Sequence, residues 1–298
     1  MRWSYLWTSV PCLSFSYKGR EPNKRWFEFV DTTLFYHNQS SLKKFSADLD
    51  YHYMNDPSII NSWAITSSFP YWNHVSRWLR LASLARVEEL TLILGDATSS
   101  SRPQLPQHVY TNSSLAALRL SRLLLRPETA VTWGSIKLLS VRATTWTDDS
   151  ISKIIAGCPS LEHLELQLLS GTISRLDFSG SRKLKKLVIR DCDTYQEKIE
   201  VLAPYLESLE ISGMVGLRPI TLRVLDAKSL VDCYLDYMPR TFCITKMNPG
   251  YNLVKHYQQM LRPLLQDIRH VNQASLGTWC IEQWRIRGCL LRTLNAPV

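Results

Sequence analysis

A short leucine-rich pattern recurs along this chain and constrains its fold more than any other feature. The pattern is L-x-x-L-x-L, with any apolar residue at the three fixed places. From residue 115 onward, successive copies begin 21, 25, 23, 22 and 24 residues apart. A spacing this narrow is typical of a repeat protein in which each copy is one structural unit. The clear copies are Val87-Leu90-Leu92, Leu115-Leu118-Leu120, Ile136-Leu139-Val141, Leu161-Leu164-Leu166, Leu184-Leu187-Ile189, Leu206-Leu209-Ile211 and Leu230-Cys233-Leu235, and the weaker ones are Leu42-Phe45-Ala47 and Val271-Ala274-Leu276.

The spacing within each copy indicates a short strand. Its last two apolar places are two residues apart, so they lie on one face of an extended backbone. One unit cannot bury its own apolar edge, but stacked copies share a continuous core. We therefore predict an α/β leucine-rich-repeat solenoid, with a curved parallel β-sheet on the concave side and mixed helix and extended backbone on the convex side. The alternative, unrelated amphipathic strands in a sandwich, predicts alternation without a fixed period.

The segments between the copies predict a varied convex side. Helical spacing predicts one helix over Arg25–His37, which buries Trp26, Phe29, Val30 and Leu34, and another over Asn73–Ala85, which buries Val75, Trp78, Leu79 and Ala82. A third helix should follow the capping residue Thr147 and end at Gly157. Ser99–Ser113 contains two prolines and predicts a loop. Later segments are short and predict extended backbone. Helical spacing returns at Leu253, Tyr257, Met260, Leu261 and Leu264, and Pro263 is expected to kink or break this segment.

Composition limits the compartment and the partners. The seven cysteines include no C-x-x-C pair, which favours a reducing compartment such as the cytoplasm or nucleus, buried thiols, and no metal site. No apolar run approaches the 18 residues that a membrane span needs, so no membrane partner is predicted. The formal charge of +9 is spread evenly, with 16 basic and 12 acidic residues in 1–150 and 19 and 14 in 151–298. This even excess favours solvated surface over a nucleic-acid site.

The motifs that mark common enzymes do not occur. The chain contains no H-E-x-x-H, no glycine-rich phosphate loop and no G-x-S-x-G elbow. The carboxylate pair Asp148-Asp149 is explained by the start of a helix, where negative side chains are favourable. We therefore predict no catalytic residue, no cofactor and no metal in this chain.

Residues between the fixed apolar places should face the concave side and could bind another protein. Tyr234 and the arginines are the candidate anchors, because aromatic residues and arginine dominate protein interfaces. The alternative is a set of merely solvated strand faces. The sequence also contains a dense basic cluster, which comprises Arg182, Lys183, Lys185, Lys186 and Arg190. Two interpretations of this cluster stay open: a phosphate or acidic-peptide site, and a solvated strand. The candidate face comprises Arg119, Arg142, His163, Glu165, Gln167, Lys186, Arg190, Glu210, Asp232, Tyr234 and Asp236.

Several segments, in this order, resemble plant F-box/leucine-rich-repeat proteins. Arg2–Pro11 is similar to the closing helix of a plant F-box and its exit into the repeats. Similar segments follow at Phe29-Val30-Asp31 with Ser41–Phe45, at Val75–Leu79 with Arg86–Leu90, and at Gly157–Glu162. The resemblance implies a substrate receptor of an SCF-type cullin ubiquitin ligase. In such a receptor the F-box docks on the adaptor subunit, and the repeats hold the protein that is to be ubiquitinated.

The resemblance to the F-box covers only its closing part, and this sets the expected organisation. Residues 1–20 are expected to be a residual F-box helix and exit segment, with Trp3, Leu6 and Trp7 as its packing residues. Residues 21–280 form the predicted solenoid, and residues 281–298 an irregular tail. The expected partner is a protein substrate of unknown identity, with the cullin-ligase adaptor a partner only where a complete F-box exists. The alternative is a free-standing repeat scaffold without ligase coupling.

Overall fold

The leucine-rich pattern forms parallel β-structure in both compact units of the chain. A computed structural model describes residues 6–17, 24–49, 71–95, 102–194, 196–215, 221–239, 261–278 and 280. One unit comprises Met1–Thr144 with Gly157–Pro159, and the other Thr145–Ala156 with Ser160–Val298. In the part of the chain that is described, no helix is both long and apolar enough to cross a membrane.

In the unit Met1–Thr144, five parallel strands pair in chain order. They are β1 (Cys12–Ser16), β2 (Lys44–Asp48), β3 (Glu89–Ile93), β4 (Ala117–Ser121) and β5 (Leu138–Arg142). The helices α1 (Lys24–Tyr36), α2 (Trp72–Leu84) and α3 (Gln107–Tyr110) lie between them along the chain. Short 3-10 turns occupy Leu6–Ser9 and Gln39–Ser41. β1 therefore lies in one sheet with the repeat strands.

The second unit contains two parallel sheets. The larger joins β7 (His163–Thr172), β9 (Lys186–Thr194), β11 (Ser208–Val215), β13 (Asp232–Pro239) and β14 (Gln273–Leu276) in that order, and β6 (Thr145–Thr147) pairs with β7. The smaller joins β8 (Arg175–Asp177), β10 (Lys198–Leu202) and β12 (Thr221–Leu225). The helix α4 (Asp148–Ala156) precedes β7. The extended backbone predicted between later repeats is thus confirmed.

The strand register aligns the fixed apolar places of successive repeats. Leu164 pairs with Leu187, Leu187 with Leu209, and Leu209 with Cys233. These four side chains are at most 2% exposed. Parallel pairing without slippage places every copy of the same residue at the same depth, so each strand seals the apolar edge of its neighbour. The predicted leucine-rich-repeat solenoid is confirmed.

A left-handed residue recurs just after the fifth residue of five repeat strands. The φ angles are positive, between 52° and 91°, at Arg122, Ala143, Leu168, Asp191 and Gly213. These positions are equivalent because β4, β5, β7, β9 and β11 each place their fifth residue directly before one of them. Only one is glycine, the residue that adopts this conformation at the lowest cost. The repeat therefore imposes a backbone conformation that the other four sequences do not favour.

The predicted inner face of the first helix was wrong at Phe29, and Trp26 is only partly buried. α1 buries Phe27, Val30 and Leu34, whereas Phe29 is 60% exposed. Phe27 stacks on Tyr71 with ring centroids 4.1 Å apart and on Trp78 at 5.6 Å. Phe29 is two positions further along, about 200° around the helix axis, so both rings cannot point inward. The packing of Phe27 decides the orientation.

Two predicted segments fit well and one needs correction. α2 buries Val75, Trp78, Leu79 and Ala82, as predicted. α4 begins after Thr147, whose Oγ1 accepts a hydrogen bond from the Ser150 backbone N–H at 3.1 Å. The predicted loop Ser99–Ser113 contains, in its described part, the one-turn helix α3 with Val109 and Tyr110 buried. Residues 261–267 are helical and include Pro263. The predicted kink or break of the segment from Leu253 stays a prediction, because residues 253–260 lie outside the described residues.

The carboxylate of Asp148 fixes the start of β8. It accepts hydrogen bonds from the Ser174 hydroxyl at 2.6 Å, the Ser174 backbone N–H at 2.9 Å and the Arg175 backbone N–H at 3.2 Å. Partial burial opposes ionisation, but these hydrogen bonds outweigh it and lower the pKa of Asp148 below its usual value.

Asp148→Ala is expected to lower the free energy of unfolding by about 1–2 kcal/mol at pH 7. The folded pKa lies below the unfolded value of about 4, so the stabilisation is fully present above that value and is lost as pH falls through the folded pKa. Urea melts should therefore show the difference from wild type shrinking below about pH 4. Asp149→Ala, at a more exposed carboxylate on the same turn, is the control with a smaller effect. A difference for Asp148→Ala that is equal at pH 7 and pH 3 would contradict this account.

The cysteines of the described residues differ strongly in exposure. Cys158, Cys233 and Cys280 are buried, whereas Cys12 is exposed. Burial raises the pKa of Cys158 to about 12, and burial followed by the charge of Asp232 does the same for Cys233. Because the thiolate is the reactive form, a thiol reagent should modify Cys12 faster than Cys158 or Cys233 by a factor of about 100 or more. Peptide mapping checks this, and comparable rates in the native protein would contradict it.

Candidate functional site

The candidate site is the side of the larger sheet that faces away from the leucine core. In β7, Leu164 and Leu166 are buried, whereas His163, Glu165 and Gln167 are partly exposed. This alternation is the period of two expected of a strand with one buried face. We call this surface the polar face and define it by His163, Glu165, Gln167, Lys186, Val188, Arg190, Ser208, Glu210, Ser212, Asp232, Tyr234 and Asp236.

The register arranges the polar face in three rows that cross β7, β9, β11 and β13. Residues in one row are neighbours about 5 Å apart, so their side chains interact directly. All members of the rows were expected from the sequence to face the concave side, and all except Val188, Ser208 and Ser212 were in the predicted candidate face. In strand order the rows are His163, Lys186, Ser208 and Asp232; Glu165, Val188, Glu210 and Tyr234; and Gln167, Arg190, Ser212 and Asp236.

Arg190 forms a bridge across the middle of the polar face. Its Nη1 donates to Glu165 Oε1 at 2.5 Å and its Nε to Glu210 Oε1 at 2.9 Å. Val188 lies between these two glutamates in the register and is only 2% exposed. The hydrogen bond to Glu210 and the charges of both glutamates raise the pKa of Arg190. The bridge therefore holds three charged side chains in a fixed arrangement over an apolar residue.

Tyr234 is the exposed aromatic residue of the polar face. It is 41% exposed, and its hydroxyl donates to Asp236 Oδ2 at 3.2 Å. This hydrogen bond, with the charge of Asp236, raises the pKa of Tyr234. Asp232 lies two residues before it on the same strand face, and Glu210 is its register partner on β11. A large aromatic ring thus stands among three carboxylates, with its apolar faces accessible to a partner.

The polar face is acidic although the whole chain is basic. It carries two cations, Lys186 and Arg190, against four carboxylates, so its formal charge is −2 with His163 neutral. The rest of the chain therefore carries a formal charge of +11. A negatively charged face repels phosphate backbones, which disfavours nucleic acid at this site. The four carboxylates are Glu165, Glu210, Asp232 and Asp236.

The dense basic cluster of the sequence does not form one site. Lys185 pairs with Glu207, and Arg190 is engaged with Glu165 and Glu210. Arg182 and Lys183 are exposed in the turn before β9. Because its members bind different carboxylates or point into solvent, the solvated strand is the interpretation that fits this segment.

The remaining candidates of the face belong to the unit Met1–Thr144. Arg119 is exposed on β4 and Arg142 is partly exposed on β5. Arg119 pairs with Ser140, and Ser121 pairs with Arg142. Ser121 occupies the same strand side as Arg119 but is only 2% exposed. Arg119 and Arg142 remain candidates on their own sheet.

The comparison with known proteins agrees with the repeats. The family described as "FBD-associated F-box protein At5g56370, LRR repeats" matches residues 75–247, which is more than half of the chain. The chain belongs to this leucine-rich-repeat family of F-box proteins. The match includes β3 to β13, so the polar face lies entirely within the family's repeats.

Curated relatives of this F-box family come from Arabidopsis thaliana. The putative F-box/LRR-repeat protein At5g02930 is 26% identical over 284 residues, which cover 93% of this chain and 54% of the relative. F-box/LRR-repeat protein At5g02910 is 28% identical over 279 residues, which cover 93% of this chain and 53% of that relative. F-box/LRR-repeat protein 25 is 28% identical over 215 residues, which cover 70% of this chain and 73% of that relative. The chain thus spans about half the length of the first two relatives.

The residues that resemble an F-box are only partly described. Leu6 and Trp7 lie in the 3-10 turn Leu6–Ser9 and are 58% and 39% exposed. Trp3 lies outside the described residues, as does the predicted tail 281–298. The turn is tied to the end of α1, because Thr8 O accepts the Asn38 backbone N–H at 2.6 Å. Within residues 6–17 the expected closing helix is a single 3-10 turn followed by β1. The role of Leu6 and Trp7 in F-box packing stays a prediction.

Proposed function

We propose that this chain is the substrate-binding module of an F-box protein that works in an SCF-type cullin ubiquitin ligase. In this proposal the polar face holds the protein that is to be ubiquitinated. The observation that carries it is the exposed Tyr234, which stands among three carboxylates on in-register strands. The proposal assigns no catalysis to the chain and places its action in the cytoplasm or nucleus.

The chemistry of the polar face supports a protein partner. Aromatic residues with a polar tip are enriched where proteins bind one another, because they add apolar area at little entropic cost. Tyr234 meets this description, and the surrounding carboxylates favour a partner segment that carries lysine or arginine. A cation over the tyrosine ring would gain both the ring's quadrupole and the negative charges. The fixed Arg190 bridge limits the reorganisation that binding requires.

The free-standing scaffold uses the same face but differs in its partners. A scaffold binds its partner protein without binding the cullin adaptor. Co-purification of the full natural transcript product with the adaptor subunit separates the two. Adaptor binding supports the ligase role, and its absence from that product removes the ligase role while leaving the protein-binding face untested by this assay.

Two tyrosine variants test the polar face itself. Tyr234→Ala should remove a defined set of partners that co-purify with the wild-type protein. Tyr205→Ala is the matched control, because Tyr205 is 37% exposed but lies in the turn before β11, outside the polar face. Quantitative mass spectrometry of both purifications should show loss only for Tyr234→Ala. Equal partner sets for the wild type and Tyr234→Ala would refute the assignment of this face.

A further inference from the structure

A cleft of about 580 Å³ in the unit Met1–Thr144 has an unusual lining. It lies where α2 and α3 end, and its charged or ionisable residues are Arg80, Arg86 and His108. Hydroxyl and amide side chains, among them Thr111 and Asn112, contribute further polar groups. None of the described residues that line it is acidic. The cleft therefore concentrates positive charge, with no carboxylate among its described lining residues to neutralise it.

The two arginines of the cleft have no counter-ion in the described part of the chain. Neither Arg80 nor Arg86 forms a side-chain hydrogen bond or ion pair there. Arg77, one turn before Arg80 on the same helix, instead donates to Asp31 Oδ2 at 2.8 Å. Arg122 donates to the Leu94 carbonyl at 2.6 Å. Two guanidinium groups without a counter-ion that line one cleft are suited to a ligand that accepts several hydrogen bonds.

The end of α2 does not cancel this positive charge. Its last carbonyls are occupied by backbone donors: Arg86 N–H bonds to Ser83 O at 3.1 Å and Val87 N–H to Ala82 O at 3.2 Å. The remaining dipole is equivalent to about half a negative charge, against two full positive charges. Arg86 occupies the left-handed position of this cap, with φ of 54°, where glycine is the usual residue. The cap thus holds an arginine at the cleft in a conformation that costs energy.

His108 adds a polar atom that lacks a partner. Its Nε2 is buried and makes no hydrogen bond within the described residues. Burial lowers the pKa of His108, a backbone hydrogen bond between the ring and Leu79 opposes this shift, and the charge of Arg80 adds a smaller lowering. An anion in the cleft would offset the effect of Arg80 and could accept a hydrogen bond from the ring.

We propose that this cleft binds a tetrahedral oxyanion of the phosphate type, with Arg80 and Arg86 as its counter-ions and His108 as a hydrogen-bond donor. Guanidinium groups match the oxygens of phosphate in geometry as well as charge. The volume accommodates free phosphate or the phosphate groups of a small molecule. The site is separate from the polar face and does not depend on the proposed ligase role.

Calorimetric titration of the whole chain tests the proposal, with inorganic phosphate and tripolyphosphate as probes in chloride buffer at constant ionic strength. Saturable binding is expected, and Arg80→Ala with Arg86→Ala should weaken it by about tenfold or more. The matched control is Arg182→Ala with Lys183→Ala, which removes the same charge at exposed positions outside the cleft. Tighter binding of tripolyphosphate would point to a phosphorylated small molecule, and equal binding to free phosphate. No saturable binding, or an equal loss in both double variants, overturns the proposal.

NMR can follow the pKa of His108 directly. A change in this pKa on adding the probe reports binding at the cleft, which the removal of charges elsewhere on the surface does not affect. Bound phosphate stabilises the protonated ring, so the pKa of His108 should rise when the probe is added. The charged groups facing it are Arg80 and Arg86, and the neighbouring Glu88 is paired with Lys43 at 2.8 Å. The rise should vanish in the Arg80 and Arg86 double variant and persist in the control. An unchanged His108 titration at saturating probe would overturn its place in the site.

Discussion

Leu164→Asp is expected to unfold the repeats of the unit that contains β7. Leu164 is 2% exposed and pairs in register with Leu187, so the variant loses an apolar side chain and places a carboxylate in the shared core. The combined cost should be on the order of 4–5 kcal/mol, against a total stability of about 5–15 kcal/mol for an ordinary domain. Urea melts followed by circular dichroism should show a large drop in the midpoint or no folded baseline.

Gln167→Asp introduces the same carboxylate into the same strand and is the matched control. Gln167 lies on the polar face beside Arg190, where the new charge is solvated and near a cation. Its effect should remain within about 0.5 kcal/mol. Similar losses of stability in the two variants would show that the inward and outward faces of β7 have been assigned incorrectly.

Gly171→Ala is expected to have the second largest effect on stability. Gly171 has a φ of 119°, and a Cβ there would lie 2.1 Å from the carbonyl oxygen of Trp146 and 2.8 Å from its backbone nitrogen. Both contacts are with backbone atoms of β6, which pairs with β7 at this residue. A methyl group therefore adds strain in φ and forces the two strands apart, at a cost on the order of 3 kcal/mol.

Gly180→Ala is the control for this substitution, because nothing lies within 4 Å of the Cβ that it would add. Its stability should remain close to that of the wild type. Thermal or urea melts of the two variants compare them directly. If Gly171→Ala were as stable as Gly180→Ala, the pairing of β6 with β7 at Trp146 could not be as described.

The one helix whose face was predicted wrongly shows where sequence patterns become ambiguous. Trp26, Phe27 and Phe29 lie within four residues, and two different stripes through them have helical spacing. Phe27 is buried because it stacks on Tyr71 and Trp78, residues more than forty positions away. No local pattern could supply that contact. In α2 the apolar residues form a single stripe, and the prediction was confirmed.

The candidate sites also contain parts that the sequence could predict and parts that it could not. The alternation of β7 and β9 was enough to predict which side chains leave the core, because a strand has only two faces. The Arg190 bridge to Glu165 and Glu210 joins residues 20 and 25 positions apart and became visible only with the register. The cleft at Arg80, Arg86 and His108 left no signal in the sequence, because its residues meet only through the packing of α2 and α3.

The sequence by itself determined the parallel stack of repeats. Apolar residues that recur every 21–25 positions predict repeats that cover one another, and parallel strands in register do this within each compact unit. The tertiary structure alone decided the backbone after each strand. Arg122, Ala143 and Leu168 adopt a left-handed conformation that their own side chains disfavour. The backbone after each strand follows the same path as in the neighbouring repeat, which keeps the strands in register. The free energy gained from packing the repeats together outweighs a local conformational cost of about 1 kcal/mol per residue.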